Sequence, residues 1–282
     1  MLTRRDWLAA VPLLLAAPAR GRFGFSLYGM KTLPVADALK ACADVGYDGV
    51  ELCLLPGYPT DPKTLTAASR GDLRKQLADR GLAVHGLMEN LAEPAADAVH
   101  KANLDRLKAA FEVAHAVAPD APPCVETILG GKPGQWAENK AKVADRLAAW
   151  AAAGSAATGA ITITPHAGNA LRTPDDAAWL VGQVNSPWLR LAFDPSHFAV
   201  QQVPAADALA AMLPHTAFVH VKDVTGTPEK FEFLLPGDGT TIDYPDLFAR
   251  LKAGRYAGPG VVEASSQAFN KPSYDPAAAA KR

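Results

Sequence analysis

The stretch Phe218–Asp223 reads Phe-Val-His-Val-Lys-Asp and carries the clearest structural signal in the 282-residue chain. Successive side chains of a β-strand point to opposite faces, so His220 and Lys222 share one face while Val219 and Val221 share the other. The apolar face suits contact with a layer of helices, and the polar face suits the inside of a closed sheet. The stretch therefore predicts a strand that turns its polar side chains towards the lumen of a barrel.

Eight apolar or alternating runs of this length occur in the chain, and amphipathic helical patterns separate them. They are Phe23–Tyr28, Gly49–Leu54, Ala83–Met88, Pro123–Leu129, Ala160–His166, Arg190–His197, Ala217–Val224 and Gly260–Ser265. Alternating strands and helices form either a closed barrel or an open doubly wound sheet. Eight units without Gly-x-Gly-x-x-Gly after the first strand favour a single (β/α)8 TIM barrel of the α/β class.

The N-terminal segment is expected to be a signal peptide rather than part of the barrel. Arg4 and Arg5 precede an uncharged apolar run, Trp7–Ala19, which ends in Ala-Pro-Ala and is shorter than the roughly 20 residues that span a bilayer. The arginine pair resembles a twin-arginine export signal. We expect residues 1–19 to be removed, residues 20–282 to form one domain, and the product to be periplasmic or secreted with no stable membrane span.

The composition limits the kinds of partner that the chain can bind. Its 28 basic and 29 acidic residues are interspersed and give a formal net charge of −1, which predicts no nucleic-acid or anionic membrane surface. Cys42, Cys53 and Cys124 show no Cys-x-x-Cys spacing and are expected to be core thiols. The expected partner is a small molecule without strong charge.

Strand parity places further polar side chains inside the predicted barrel, near the ends of the strands where barrel enzymes build their active sites. Asp194, Glu263 and Glu126 point inward from strands six, eight and four, as His220 does from strand seven. Buried carboxylates are costly unless they are paired or bind a cation. Asp194, His220 and Glu263 offer mixed oxygen and nitrogen ligation, which predicts one divalent metal ion, either Mn, Zn, Co or Mg. The alternative is that these residues form salt links that close the barrel mouth.

Other polar residues give a weaker signal. Glu51 and Glu89, in or just after strands two and three, either line the mouth or cap a loop. His100 falls in a helical pattern, where a partly solvated surface position is expected.

Several motifs resemble the sugar phosphate isomerase/epimerase family of xylose-isomerase-like barrels. They are Asp-Pro-Ser-His at 194–197, His-Val-Lys-Asp at 220–223, Gly-Asp-Gly at 237–239 and Val-Glu at 262–263, and the resemblance spans the mature chain. It implies that Asp194, His220 and Glu263 bind a divalent metal and that His197 contacts the substrate.

One position departs from the family pattern. Members such as ketose 3-epimerases carry Glu-x-His near the end of strand five, and that glutamate is a metal ligand and catalytic acid/base. Here the triplet is Thr164-Pro165-His166. Either Glu126 from the neighbouring strand or His166 becomes the fourth ligand, and we favour Glu126.

The resemblance implies a metal-dependent sugar isomerase or epimerase that removes a proton next to a carbonyl and lets the metal stabilise the enediolate. The catalytic candidates are Glu263 as base, Lys222 as a partner of a substrate oxygen, and His197 and His166. Lys222 instead pairs with Asp223 or a mouth carboxylate if its role is structural. Loss of the strand-five glutamate keeps two alternatives open, a 3-keto-glycoside lyase or hydrolase and a non-catalytic sugar-binding barrel.

Overall fold

The structure, a computed structural model, describes residues 22–282, and eight parallel strands in it close into a barrel. The barrel strands are β1 Phe23–Ser26, β2 Gly49–Cys53, β3 Ala83–Leu91, β4 Cys124–Leu129, β5 Ile161–Thr164, β6 Leu189–Phe193, β7 Thr216–Val221 and β10 Gly260–Val262. Strands β1 to β7 pair in chain order, and β10 pairs in parallel with both β1 and β7. The predicted (β/α)8 barrel is confirmed. The predicted signal peptide lies outside the described residues.

Helices follow the strands and form the outer layer. They are α1 Val35–Val45, α2 Ala67–Asp79, α3 Asp97–Val117, α4 Trp136–Ala157, α5 Pro174–Val184, α6 Pro195–Ala199, α7 Ala205–Met212, α8 Tyr244–Ala253, α9 Ser266–Phe269 and α10 Pro276–Ala280. Side chains of Thr66, Thr173 and Asp243 accept backbone N–H groups at the starts of α2, α5 and α8. Among residues 22–282, none of the helices combines the length and apolar character needed to cross a bilayer.

The two faces of the strands bury different side chains, as the parity of the sequence predicts. Val219 and Val221 belong to the large core between the strands and the helices. Ala192, Phe218 and Val261 form a small separate cluster inside the barrel. Phe218 lies so close to β3 that a Cβ on Gly86 would be 2.7 Å from its ring. The inner cluster thus forms a packed layer within the barrel, one inward position before His220 on β7.

Strand six ends earlier than predicted and gives way to a short helix. The prediction ran to His197, whereas β6 ends at Phe193 and α6 begins at Pro195. Proline suits the first turn of a helix, where no N–H is needed. Asp194 caps this helix, because its Oδ1 accepts from the backbone N of Ser196 at 2.9 Å and from the hydroxyl of Ser196 at 2.6 Å. Asp194 therefore lies at the strand end, and His197 lies on the helix.

A hairpin that the sequence analysis did not predict follows β7. Strand β8 Asp223–Thr227 pairs antiparallel with β9 Lys230–Leu234. The predicted strand seven had instead continued to Val224. The side chain of Gln267, on α9, fixes the second strand, because its Oε1 accepts from the N of Phe233 at 2.6 Å and its Nε2 donates to the O of Phe231 at 3.3 Å. The hairpin therefore lies at the mouth of the barrel.

Candidate active site

Three predicted metal ligands meet at the carboxyl ends of adjacent barrel strands. Asp194 follows β6, His220 lies on β7 and Glu263 follows β10, and one ligand atom of each lies within 4.8 Å of the others. The three residues are buried, with 0%, 2% and 7% of their surface exposed. Because β6, β7 and β10 are neighbours in the barrel, residues far apart in sequence form one cluster.

His220 has a carboxylate at each ring nitrogen. Its Nε2 lies 3.1 Å from Oε2 of Glu51, and its Nδ1 lies 3.4 Å from Oε2 of Glu263. Burial would lower the pKa of His220, but Glu51, Glu263 and Glu126 raise it to about 10. The imidazole is thus held across the lumen in one orientation, between β2 and β10.

Glu126 joins a second group, with Glu51 and His220, whose ligand atoms also lie within 4.8 Å of one another. Its carboxylate accepts a hydrogen bond from the hydroxyl of Thr164 on β5. Burial raises the pKa of Glu126 to about 8, opposed by His220 and reinforced by Glu51. The structure therefore brings Glu126 to His220 but places it in a group separate from that of Asp194 and Glu263.

Lys222 lies between the two carboxylates of the first group. Its Nζ is 3.0 Å from Oδ2 of Asp194 and 3.0 Å from Oε1 of Glu263. Burial would lower the pKa of this lysine, but the two carboxylates raise it. Among the described residues, Lys222 makes no ion pair with Asp223, whose Oδ2 instead accepts from the backbone N of Gly237 at 2.9 Å. Of the roles considered for Lys222, the structure shows the ion pair with carboxylates at the mouth.

His197 and His166 form one wall of the mouth together with Phe233 of the hairpin. The two imidazoles lie 4.1 Å apart between ring centroids, and the Phe233 ring meets His197 edge-on at 4.9 Å. Burial, together with the charge of Lys222, lowers the pKa of His166 to about 4, and burial lowers that of His197 well below its usual value. Both rings are therefore neutral near pH 7.

The opposite wall carries aromatic residues that the sequence analysis did not single out. Tyr28, just after β1, stacks on Tyr58 at 5.8 Å and meets Phe269 edge-on at 5.0 Å. Burial raises the pKa of Tyr28, and the charge of Glu263 adds to this rise, which places the phenol near the acidic cluster. The signal in the sequence was the position of Tyr28 and Tyr58 a few residues after strands β1 and β2.

Two other residues, Glu89 and His100, contact side chains of the helices rather than the acidic cluster. Glu89 points away from the lumen, and its two carboxylate oxygens lie 2.7 and 2.8 Å from Arg106 on α3. Burial raises its pKa to about 7 although Arg106 opposes the shift. His100, which we expected at the surface, is buried and accepts a hydrogen bond from Nε1 of Trp150 at 3.3 Å.

The donor set of the first group fits a divalent cation. Two carboxylates and one imidazole suit a hard or borderline ion. A histidine that binds metal typically donates its second N–H to a carboxylate, and Glu51 occupies that place beside His220. The fit rests on the arrangement of these four side chains.

Comparison with known proteins agrees with this fold. A family model described as xylose isomerase-like TIM barrel matches residues 39–281. The L-ribulose-5-phosphate 3-epimerase UlaE of Salmonella paratyphi C is 31% identical over 96 residues, which are 34% of this chain and 33% of that protein. The chain thus matches only about a third of the length of this curated relative.

Two solved structures share the fold over nearly their whole length. The 3-keto-D-glucoside 4-epimerase YcjR of E. coli superposes with a TM-score of 0.70 at 18% identity, covering 93% of this chain and 97% of that one. The D-allulose 3-epimerase of Methylomonas sp. gives a TM-score of 0.72 at 21% identity, covering 95% and 96%. At these identities the structures support the architecture alone. Because the family model covers most of the chain, the protein belongs to the xylose isomerase-like TIM barrel family.

Proposed function

We propose that the protein is a metal-dependent isomerase or epimerase of a small sugar or sugar derivative. The observation that carries this proposal is the convergence of Asp194, His220 and Glu263 at the carboxyl end of the barrel. The names of the relatives support it, since UlaE, YcjR and the Methylomonas protein are all sugar or glycoside epimerases. Aromatic walls on two sides of the cluster suit the faces of a sugar ring.

Asp194, His220 and Glu263 would hold the ion, either Mn, Zn, Co or Mg. When bound, a divalent cation supplies Lewis acidity towards the carbonyl and hydroxyl oxygens of the sugar. Glu51 keeps His220 oriented, because it holds Nε2 and leaves Nδ1 on the side of Glu263. Glu126 lies across the lumen, where the hydroxyl of Thr164 holds its carboxylate.

Glu263 is the candidate base for the proton next to the carbonyl. It is the most exposed of the three ligands, with 7% of its surface accessible, and it faces the mouth. Lys222, whose Nζ lies 3.0 Å from this carboxylate, offers a donor for a substrate oxygen. His166 and His197 are neutral imidazoles. The Nδ1 of His166 accepts from the backbone N of Gly168 at 3.1 Å, so its Nε2 carries the hydrogen and offers a donor to a substrate hydroxyl.

A 3-keto-glycoside lyase or hydrolase is the second candidate, and Thr164 favours it. This residue stands where the resembled epimerases carry a carboxylate, so that position offers a hydroxyl, and the paired imidazoles of His166 and His197 are the titratable groups on that wall. In a lyase, Glu263 would take the proton, the electron pair of the C–H bond would form a C=C bond, and the leaving oxygen would take a proton from the ammonium group of Lys222, which lies 3.0 Å from Glu263. The named substrate of YcjR is a 3-keto-glucoside, which is consistent with this class of sugar.

We also propose that the protein acts outside the cytoplasm. The support is the twin-arginine pattern of residues 1–19, which precede the barrel. Secretion of a reporter fused to residues 1–19, and its loss when both arginines are changed to lysine, would test this.

Proton exchange with solvent tests the proposed chemistry before the exact substrate is known. The Mn²⁺-loaded protein is incubated in D₂O with unphosphorylated ketoses and 3-keto-glucosides, and NMR follows deuterium at the carbon next to the carbonyl. We expect exchange in the wild type and a loss of about 10²-fold to 10⁴-fold in Glu263→Gln. Glu232→Gln, which removes a surface carboxylate of the hairpin, is the matched control and should retain the rate.

The products separate the candidates. An isomer or epimer of unchanged mass supports the first proposal, and an unsaturated sugar with a released aglycone supports the second. Metal binding without exchange on any sugar would instead indicate a binding barrel. A folded protein that binds none of the four ions would contradict the metal-dependent mechanism.

A further inference from the structure

The positive charge inside the acidic cluster is the ammonium group of Lys222, a side chain of the protein itself. Among the ion pairs of residues 22–282, Lys222 supplies the only ammonium or guanidinium group within 4 Å of Asp194 or Glu263. It contacts one oxygen of each carboxylate at 3.0 Å, and its residue is 2% exposed. A lysine that merely lined the mouth would not have to bridge both acidic ligands.

The bridge has an electrostatic reason. Glu51, Glu126, Asp194 and Glu263 are all buried, and His220 lies between Glu51 and Glu263. Buried carboxylates require a compensating positive charge close by. Lys222 supplies that charge to the same two carboxylates that a divalent ion would use, so the ion and the ammonium group are alternative partners.

We propose that Lys222 is a built-in competitor for the metal ion. It bridges Asp194 and Glu263 when no ion is bound and releases both carboxylates when an ion binds. This inference rests on the metal site of the proposed function and adds what controls its occupancy. Binding of the ion therefore includes the breaking of two buried ion pairs, which weakens the apparent affinity for the metal.

The structure also indicates where the released ammonium group goes. Its Nζ already lies 4.4 Å from the ring centroid of Phe233, on the β8–β9 hairpin over the mouth. An ammonium group retains favourable interaction with an aromatic face. Metal loading would thus leave Lys222 beside Phe233 and His197, where a sugar oxygen can accept its hydrogen bond. Release by the ion would free the two N–H donors that the bridge directs at Asp194 and Glu263.

Metal affinity and thermal stability together test the competition, without any measurement of activity. Chelator-treated full-length protein is titrated with Mn²⁺ by calorimetry, and melting temperatures are recorded with and without the ion. In Lys222→Met we expect Mn²⁺ to bind tighter by roughly tenfold or more, because no ion pair has to break. We also expect a lower melting temperature without metal and a larger upward shift when Mn²⁺ is added. Lys222→Gln is a second variant in case the methionine variant does not fold.

Lys271→Met is the matched control, because Lys271 pairs with Glu232 on the surface and makes no ion pair with the cluster. It should leave both measurements unchanged. Equal or weaker Mn²⁺ binding in folded Lys222→Met and Lys222→Gln, with the wild type binding normally, would overturn the competition and leave the proposed function intact. Binding in the variants but not in the wild type would support the competition and contradict metal dependence of the natural protein. Absence of binding in all of them would overturn both.

Discussion

The barrel lumen buries one histidine near each end, and the surroundings shift the pKa values of these two histidines in opposite directions. At the amino end, His85 lies against β1 and β2, where a Cβ on Gly24 would be 2.6 Å from its Nδ1 and a Cβ on Gly49 would be 2.6 Å from its Nε2. Burial lowers the pKa of His85 to about 4, so this ring is neutral. At the carboxyl end, His220 lies among carboxylates that raise its pKa to about 10.

The two ends of the barrel therefore affect the stability of the protein differently. The amino end is closed by steric fit between a neutral ring and two glycines, so it contributes to stability. The carboxyl end holds opposed charges, which cost stability unless they serve binding or catalysis. Three substitutions test whether the two ends of the barrel differ in this way.

Gly49→Ala should have the largest effect, and only on stability. The new Cβ would lie 2.6 Å from both the backbone O of Ala83 and Nε2 of His85, so the backbone must move. We expect the free energy of unfolding to fall by about 3 kcal/mol, measured by urea denaturation, with Mn²⁺ affinity of the folded protein unchanged.

The matched control for that substitution is Gly71→Ala, on the exposed face of α2, where a Cβ would meet no atom within 4 Å. There we expect a gain of about 0.5 to 1 kcal/mol, since alanine favours the helix. A large change in Mn²⁺ affinity in Gly49→Ala would show that the two ends are coupled.

His85→Gln should reduce the dependence of stability on pH. Because the folded pKa is about 4 and the usual value is 6.5, the unfolded chain binds more protons between these values. The stability due to the neutral ring is therefore present above about pH 6.5 and is lost as the pH falls towards 4. Between pH 7 and pH 5 we expect the wild type to lose about 2 kcal/mol more than His85→Gln in urea denaturation. Parallel losses in the two proteins would show that His85 is not held neutral.

Gln267→Ala should have the smallest effect and should act at the mouth. It removes the two hydrogen bonds that fix the hairpin at Phe231 and Phe233. We expect a loss of about 1 kcal/mol or less in global stability, but faster amide hydrogen exchange across residues 223–234. Unchanged exchange in this segment would mean that packing of Phe233 against His197, rather than Gln267, holds the hairpin in place.

The fold could be predicted because its signal repeats. Each barrel strand is a short apolar run between helical patterns, and eight such runs leave few alternatives. The hairpin was missed because β8 continues the predicted strand seven after a break at Lys222, and the residues of β9 form no ninth unit of the pattern. The end of β6 was placed too late because Asp194 and Pro195, which cap and begin α6, also read as a strand end.

The site was only partly predictable, for a physical reason. Alternation along β7 identified His220 and Lys222, because Val219 and Val221 separate them. Strand β2 alternates in the same way around Glu51, between Val50 and Leu52, but it has no second polar side chain to mark the inner face. Glu51 was left undecided although it lies in the lumen beside His220. The partner of Lys222 was also undecided, because ion pairs depend on side chains that come from distant strands.

The closing strand of the barrel has a consequence for the order in which the protein forms. Glu263 follows β10, a strand of three residues that joins the two edges left by β1 and β7. During synthesis on the ribosome, Asp194 and His220 emerge well before Glu263, and contacts of such long sequence separation form late in folding. Under the proposed function, the capacity to bind the ion would arrive only with completion of the barrel, so a bound ion would mark finished molecules and distinguish them from nascent chains.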